Sequence, residues 1–196
     1  MLLLWFSFGN NWRGFTLFLG LGLLSIAAAI GYTVGKKPYG YIGLGDISVL
    51  IFFRSSRCYG FVLSFTHSIT WMELLPAFSC GLFSIAVLNI NNIRDIESDR
   101  SAGKFSIPVR IGKKNAVKYH WILLFGGLFS AIGYTLIHFH SPWQFLFLLT
   151  LPLFIKNGLS IHHRPAEELD PFLKQMALST TFICSSIWNG LNPVKT

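Results

Sequence analysis

The sequence predicts an all-α fold, a multi-pass transmembrane helix bundle, and three observations predict it. Charged residues make up only 12% of the chain against 52% hydrophobic, where a soluble domain of this size carries about 25% charged. The apolar residues come in runs long enough to cross a bilayer, roughly 20 residues each, and mean hydropathy is +0.53. Lysine and arginine gather in alternate loops between those runs, the bias of loops that share one membrane face.

Taken in order, Leu2–Phe8 is too short to span and reads as the last turns of a helix whose beginning lies upstream. The opening MLLLWFSF has no basic segment and no small-residue cleavage site, so a signal peptide is not expected. The first full span is expected over Phe15–Val34, stopped by Lys36-Lys37-Pro38 and a turn-rich loop to Asp46. The second covers Ile47–Phe65, interrupted by Arg54 and Arg57, and the third covers Trp71–Leu88. A polar loop continues to Lys118, then come a fourth span, Tyr119–Ile137, and a fifth, Trp143–Leu159. Ser160–Pro171 is expected as a loop before the last span, Phe172–Leu191.

The cations test this topology. Lys36 and Lys37 follow span one, seven Lys and Arg from Arg94 to Lys118 follow span three, and Arg164 follows span five. The loops near Thr66–Thr70 and His138–Pro142 have none. The basic loops therefore share one side, expected to be cytoplasmic. The net charge of +8 is explained by this bias, so no nucleic-acid partner is inferred. Cys58, Cys80 and Cys184 lie far apart in apolar segments, with no CxxC pair, and imply neither a disulfide framework nor a zinc site.

The candidate site is Asn89–Arg110, NINNIRDIESDRSAGKFSIPVR, which follows the apolar run Leu74–Leu88. If the helix continues through it, Asn91, Asp95 and Asp99 fall at i, i+4 and i+8 and share one face. Two carboxylates and an amide oxygen at that spacing suit a hard divalent cation that also holds phosphate oxygens, as magnesium does. Arg94, Arg100, Lys104 and Arg110 supply the positive charge an anionic ligand needs. The plainer readings are a solvated helix end with ion pairs to Arg94 and Arg100, basic residues that serve topology alone, and an Asn91 that caps or bridges helices. His162-His163 is read as a solvated loop, since adjacent helical residues point apart.

The run Asn91-x-x-Arg94-Asp95-x-x-x-Asp99-Arg100-x-x-Gly103-Lys104 closely resembles the second aspartate-rich motif of the UbiA-type intramembrane prenyltransferases. Four further blocks are most like the branch that acts on 1,4-dihydroxy-2-naphthoate in menaquinone biosynthesis. They are Tyr32 to Asp46, Leu88 to Asn92, Pro108-Val109-Arg110-Ile111-Gly112 and Glu168-Leu169-Asp170-Pro171. The resemblance runs from about Trp12 to Phe172. It implies a bundle of about nine helices in the family, of which this chain would carry about six. It also implies magnesium as cofactor, with Asp95, Asp99 and Asn91 as metal ligands and Asp95, Asp99 and Arg94 as catalytic residues. Asn91, Arg100, Lys104 and Arg110 would lie on the diphosphate side. The implied reaction joins a polyprenyl group from polyprenyl diphosphate to 1,4-dihydroxy-2-naphthoate with decarboxylation, giving demethylmenaquinol at the inner (plasma) membrane. Tyr39, Tyr41 and Asp46 would line the naphthoate site, or else form a turn with interfacial aromatics.

Two departures from the family follow. The first aspartate motif is absent, so residues 1–196 are expected to be a single membrane domain shortened at the N-terminus, inactive alone, whose missing half is a candidate separate chain. And Arg54–Leu63 is polar where the family is apolar, although an arginine inside a span costs at least about 2.5 kcal/mol. A one-nucleotide shift can spell Gly-Leu-Val-Ala-Val-Met-Gly-Ser-Tyr-Leu there, so the stretch reads as an out-of-frame patch or the mark of a decayed gene. The competing functions are a prenyltransferase for another aromatic acceptor such as 4-hydroxybenzoate, a transporter whose ion path holds Arg54, Arg57 and Asp95, and a non-catalytic remnant.

Overall fold

The structure, a computed structural model, describes residues 12–35, 38–53 and 74–191. Leu2–Phe8, Lys36 and Lys37, the second half of the second expected span with its Arg54–Leu63 patch, and the last five residues lie outside that description. Among the described residues there is helix and no strand. The long helices are α1 (Trp12–Thr33), α2 (Gly45–Phe53), α3 (Leu74–Arg94), α5 (Ile107–Ile137), α6 (Leu151–His163) and α7 (Asp170–Leu191). A short α4 (Ile96–Ser101) follows α3, and 3-10 turns fill Tyr39–Ile42, Pro142–Thr150 and Ala166–Glu168.

Helix occupies the described part of each expected span, the second only as far as Phe53, and three of the described stretches are both long and apolar enough to cross a membrane: α3, α5 and the continuous Pro142–His163. Their burial pattern fits lipid as solvent. Phe83, Ile90, Phe147, Phe154, Ile161, Met176 and Ile183 pack inside, while Ile122, Phe129, Leu136, Leu149 and Leu178 stay exposed around the bundle. In water such an apolar belt would be an association surface; in a bilayer it is the expected exterior. The most extensive packing joins α3 to α5, and α7 closes against α3, α6 and the Pro142–Thr150 turn. Phe83 of α3 stacks on Phe154 of α6 with ring centroids 4.9 Å apart. Gly158 lets α6 approach α5 closely, since a Cβ there would lie 2.5 Å from the Trp121 ring.

Three boundaries depart from the sequence-based expectation. The polar loop expected up to Lys118 ends at Ser106, because Pro108 starts a helix and the Lys-rich stretch after it continues that helix. Within α5, Gly112 (φ 78°, ψ 159°) breaks the helical path, so Ile107–Ile111 turns away from the spanning part. The fifth span opens as 3-10 turns and runs on to His163, past the expected end at Leu159. His162 and His163 thus occupy the last turn of α6 rather than a loop. Their rings meet edge to face at 4.6 Å instead of pointing apart.

Candidate functional site

The helix that carries the candidate residues does not run straight through. It breaks at Asp95 (φ −94°, ψ 12°), which precedes α4. The i to i+4 ladder nevertheless bridges the break: Asp95 N–H donates to the Asn91 carbonyl at 3.0 Å, and Asp99 N–H to the Asp95 carbonyl at 2.7 Å. The one-turn spacing of Asn91, Asp95 and Asp99 survives.

Asn91 and Asp95 meet directly. Asn91 Nδ2 donates to Asp95 Oδ2 at 3.2 Å. Arg94 clamps both: Nε donates to Asp95 Oδ1 at 2.8 Å, and Nη2 donates to Asp95 Oδ2 at 3.0 Å and to Asn91 Oδ1 at 2.9 Å. Its remaining corner, Nη1, donates to Asp170 Oδ1 in the first turn of α7. Asp99 has a separate set of partners. It is buried, with Lys104 Nζ 3.1 Å from Oδ1 and 2.9 Å from Oδ2, and Ser106 Oγ donates to Oδ2 at 3.3 Å. The turn that returns Lys104 to Asp99 is closed by Lys104 N–H on the Asp99 carbonyl at 2.8 Å. The two acids are thus each neutralised by their own cation, as buried or half-buried carboxylates require.

The other predicted cations have different surroundings. Arg110 binds backbone: Nη2 donates to the Ile42 carbonyl at 2.6 Å and Nε to the Phe105 carbonyl at 3.0 Å. Phe105 N–H in turn donates to the Tyr41 carbonyl at 2.8 Å. Gly43 (φ +80°) fits beneath, where a Cβ would stand 2.7 Å from the Phe105 oxygen. The Tyr39–Ile42 turn is therefore fastened to the segment after Asp99. Arg100 is exposed and lies 3.7 Å from Glu97 on the same short helix.

Of the turn residues, Tyr39 donates its hydroxyl to the Ala28 carbonyl of α1 at 2.5 Å, and Tyr41 is exposed. Asp46, in the first turn of α2, is buried and accepts from the Tyr119 hydroxyl at 2.8 Å. Burial pushes its pKa up, and the Tyr119 hydrogen bond partly opposes that.

Sequence reasoning missed Asp170 as a partner of Arg94, Tyr119 as a partner of Asp46, and the wholly buried polar side chains His120, Asn89 and Asn157. Asp170 lies 76 residues from Arg94 and Tyr119 lies 73 from Asp46, so no local spacing could pair them. The only hint was that Asp170 and Asp46 each sit in a block with a family resemblance.

Among the described residues no group of three His, Cys, Asp or Glu gathers as a metal centre. A cation here would rely on the Asp95 and Asp99 carboxylates with the Asn91 amide oxygen. That donor set is all hard oxygen and fits a divalent cation such as magnesium. Arg94 and Lys104 stand on the same oxygens, so a cation would have to share with them or displace them.

Residues 1–181 match the UbiA prenyltransferase family. Over 84% of its length the chain is 48% identical to the 1,4-dihydroxy-2-naphthoate octaprenyltransferase of Escherichia coli (strain K12), covering 52% of that protein. It is 45% identical to the protein of the same name from Haemophilus influenzae, over 85% of this chain and 54% of the relative. A 2-carboxy-1,4-naphthoquinone phytyltransferase from Synechocystis is 32% identical over 66% of the chain and 42% of its own length. The chain spans about half the length of the two octaprenyltransferases it matches. No solved structure matches it.

Proposed function

The chain belongs to the UbiA prenyltransferase family, and from that premise we propose that it carries the metal and diphosphate side of an enzyme that prenylates 1,4-dihydroxy-2-naphthoate. The family is one of integral membrane proteins that generally use a divalent metal, and the apolar helices agree. The reaction proposed transfers a polyprenyl group from its diphosphate to the naphthoate, with loss of pyrophosphate and carbon dioxide, giving demethylmenaquinol. One observation carries the reading. At the end of an apolar helix Arg94 clamps Asn91 and Asp95, and one turn on Lys104 pairs with Asp99, inside the region that is 48% identical to the Escherichia coli octaprenyltransferase.

Breaking the allylic C–O bond puts negative charge on the departing diphosphate, and fixed positive groups lower that barrier. Asn91, Asp95 and Asp99 would hold magnesium, which supplies charge neutralisation to the leaving group. Arg94 and Lys104 reach the same carboxylates, so each can pass from its acid to a phosphate oxygen when the ligand arrives. Arg110 acts one step removed, fixing the Tyr39–Ile42 turn against Phe105. The apolar bundle behind these residues offers an isoprenoid a wall that excludes water from the allylic carbon. The basic ends of the helices are assigned to the cytoplasmic face of the inner membrane.

The test is transfer in detergent or lipid with magnesium, octaprenyl diphosphate and 1,4-dihydroxy-2-naphthoate. The chain is assayed alone and together with the N-terminal half of the Escherichia coli relative. Prenylated product that falls about 100-fold or more in Asp95→Asn supports the reading. Product with 4-hydroxybenzoate but none with the naphthoate would reassign the acceptor, and no product in any mixture would leave the chain a non-catalytic member of the family.

A further inference from the structure

We propose that Asp170 is a positioning residue: it holds Arg94 so that the guanidinium can pivot off Asp95 when a divalent cation and its diphosphate bind. The inference rests on the reading of Asn91 and Asp95 as cation ligands.

Arg94 spends its donors on two sides. One edge, Nε and Nη2, covers Asp95 Oδ1, Asp95 Oδ2 and Asn91 Oδ1 at 2.8, 3.0 and 2.9 Å. The opposite corner, Nη1, rests on Asp170 Oδ1. The covered atoms are the ones a divalent cation would take, so Arg94 occupies them as a resident cation. Two positive centres cannot both sit within contact distance of those oxygens without strong repulsion, so cation binding requires the covered edge to turn away.

Asp170 is placed to receive it. Its carboxylate is 60% exposed and free to follow, while its root is fixed. Leu169 beside it is wholly buried, and Asn157 Nδ2 holds the Phe172 carbonyl at 2.7 Å. Gln175 Nε2 donates to the Leu153 carbonyl one turn further along. With Nη1 retained on a fixed carboxylate, a rotation of the guanidinium carries Nε and Nη2 from Asp95 toward the anionic oxygens of an arriving diphosphate. Without Asp170 the nearest anion left to Arg94 is Asp95, and the guanidinium competes harder with the cation. Because Asp170 is exposed, the effect is modest, about two- to fivefold in affinity.

The experiment measures Mn²⁺ binding to the full 196-residue chain in detergent, by loss of the free-ion EPR signal, with and without inorganic pyrophosphate. Asp170→Asn, and Asp170→Ser as a second neutral variant, should weaken Mn²⁺ about two- to fivefold, and Asp170→Glu should restore it. Arg94→Gln should bind Mn²⁺ alone more tightly and gain less from pyrophosphate. In the Arg94→Gln background, Asp170→Asn should change nothing. An unchanged affinity in Asp170→Asn, or an equal weakening with Arg94 already removed, would overturn the proposal, the latter by showing a plain long-range charge effect. Asp95→Asn separates the two readings. If it loses Mn²⁺ while Asp170→Asn is silent, the ligand reading stands and this proposal falls. If Asp95→Asn binds Mn²⁺ as tightly as the unaltered chain, or the unaltered chain binds none, the ligand reading itself fails and takes the pivot with it.

Discussion

Asp99 and Asp46 are two buried carboxylates that the chain stabilises in different ways. Asp99 has a lysine and a hydroxyl within hydrogen-bond reach; Asp46 has a tyrosine hydroxyl. Lys104→Met leaves Asp99 with Ser106 alone, and the chain should lose about 1–3 kcal/mol of stability in detergent, read by thermal unfolding. An unchanged melting temperature would mean that solvent reaches Asp99 freely. For Asp46 the sign follows from its raised pKa. The folded chain keeps a proton that the unfolded chain has released, so stability from this group is complete below the ordinary value of 3.8. It is lost as pH rises through the raised folded value. Asp46→Asn removes that loss, so the melting temperature of the variant should depend less on pH than that of the parent as pH rises above 3.8. Parallel profiles for the two proteins would place the titration elsewhere.

At the scale of elements, the two irregular points in helical paths, Asp95 and Gly112, flank the charged segment. The first lets α4 leave the axis of α3 while keeping the one-turn ladder, so that Asp99 reaches the segment Lys104–Ser106. The second turns Ile107–Ile111 so that Arg110 meets the Ile42 carbonyl. At φ 78° and ψ 159° the backbone at Gly112 lies where only glycine is comfortable. Gly112→Ala should therefore cost about 1–3 kcal/mol, although a Cβ there would meet nothing within 4 Å. The penalty is backbone strain, not a clash, so Gly112→Asn should be destabilising as well, because asparagine's tolerance of positive φ is confined mostly to the αL region. A variant as stable as the parent would contradict that cause.

For the whole molecule, the candidate site, Lys113 and the α6–α7 connection meet, joined by Arg94–Asp170 and by Lys113 Nζ on the Arg164 carbonyl at 2.7 Å. If the candidate site faces the cytoplasm, Ser98→Cys in a cysteine-free background should react with an impermeant maleimide in inverted vesicles and resist it in intact cells. The reverse pattern would invert the topology. Apolar run length was enough to read the helical class, because a segment that crosses lipid must be apolar and satisfy its backbone internally, and three of the described stretches are long and apolar enough to do so. The spacing of Asn91, Asp95 and Asp99 was legible for the same local reason: a helical repeat sets which side chains are neighbours. Tertiary structure alone decided which cation neutralises which acid, that Arg94 is shared with Asp170, that Asp46 lies buried against Tyr119, and that Arg110 serves the Tyr39–Ile42 turn. Those pairings join residues far apart in the chain, and packing between helices, not periodicity within one, brings them together.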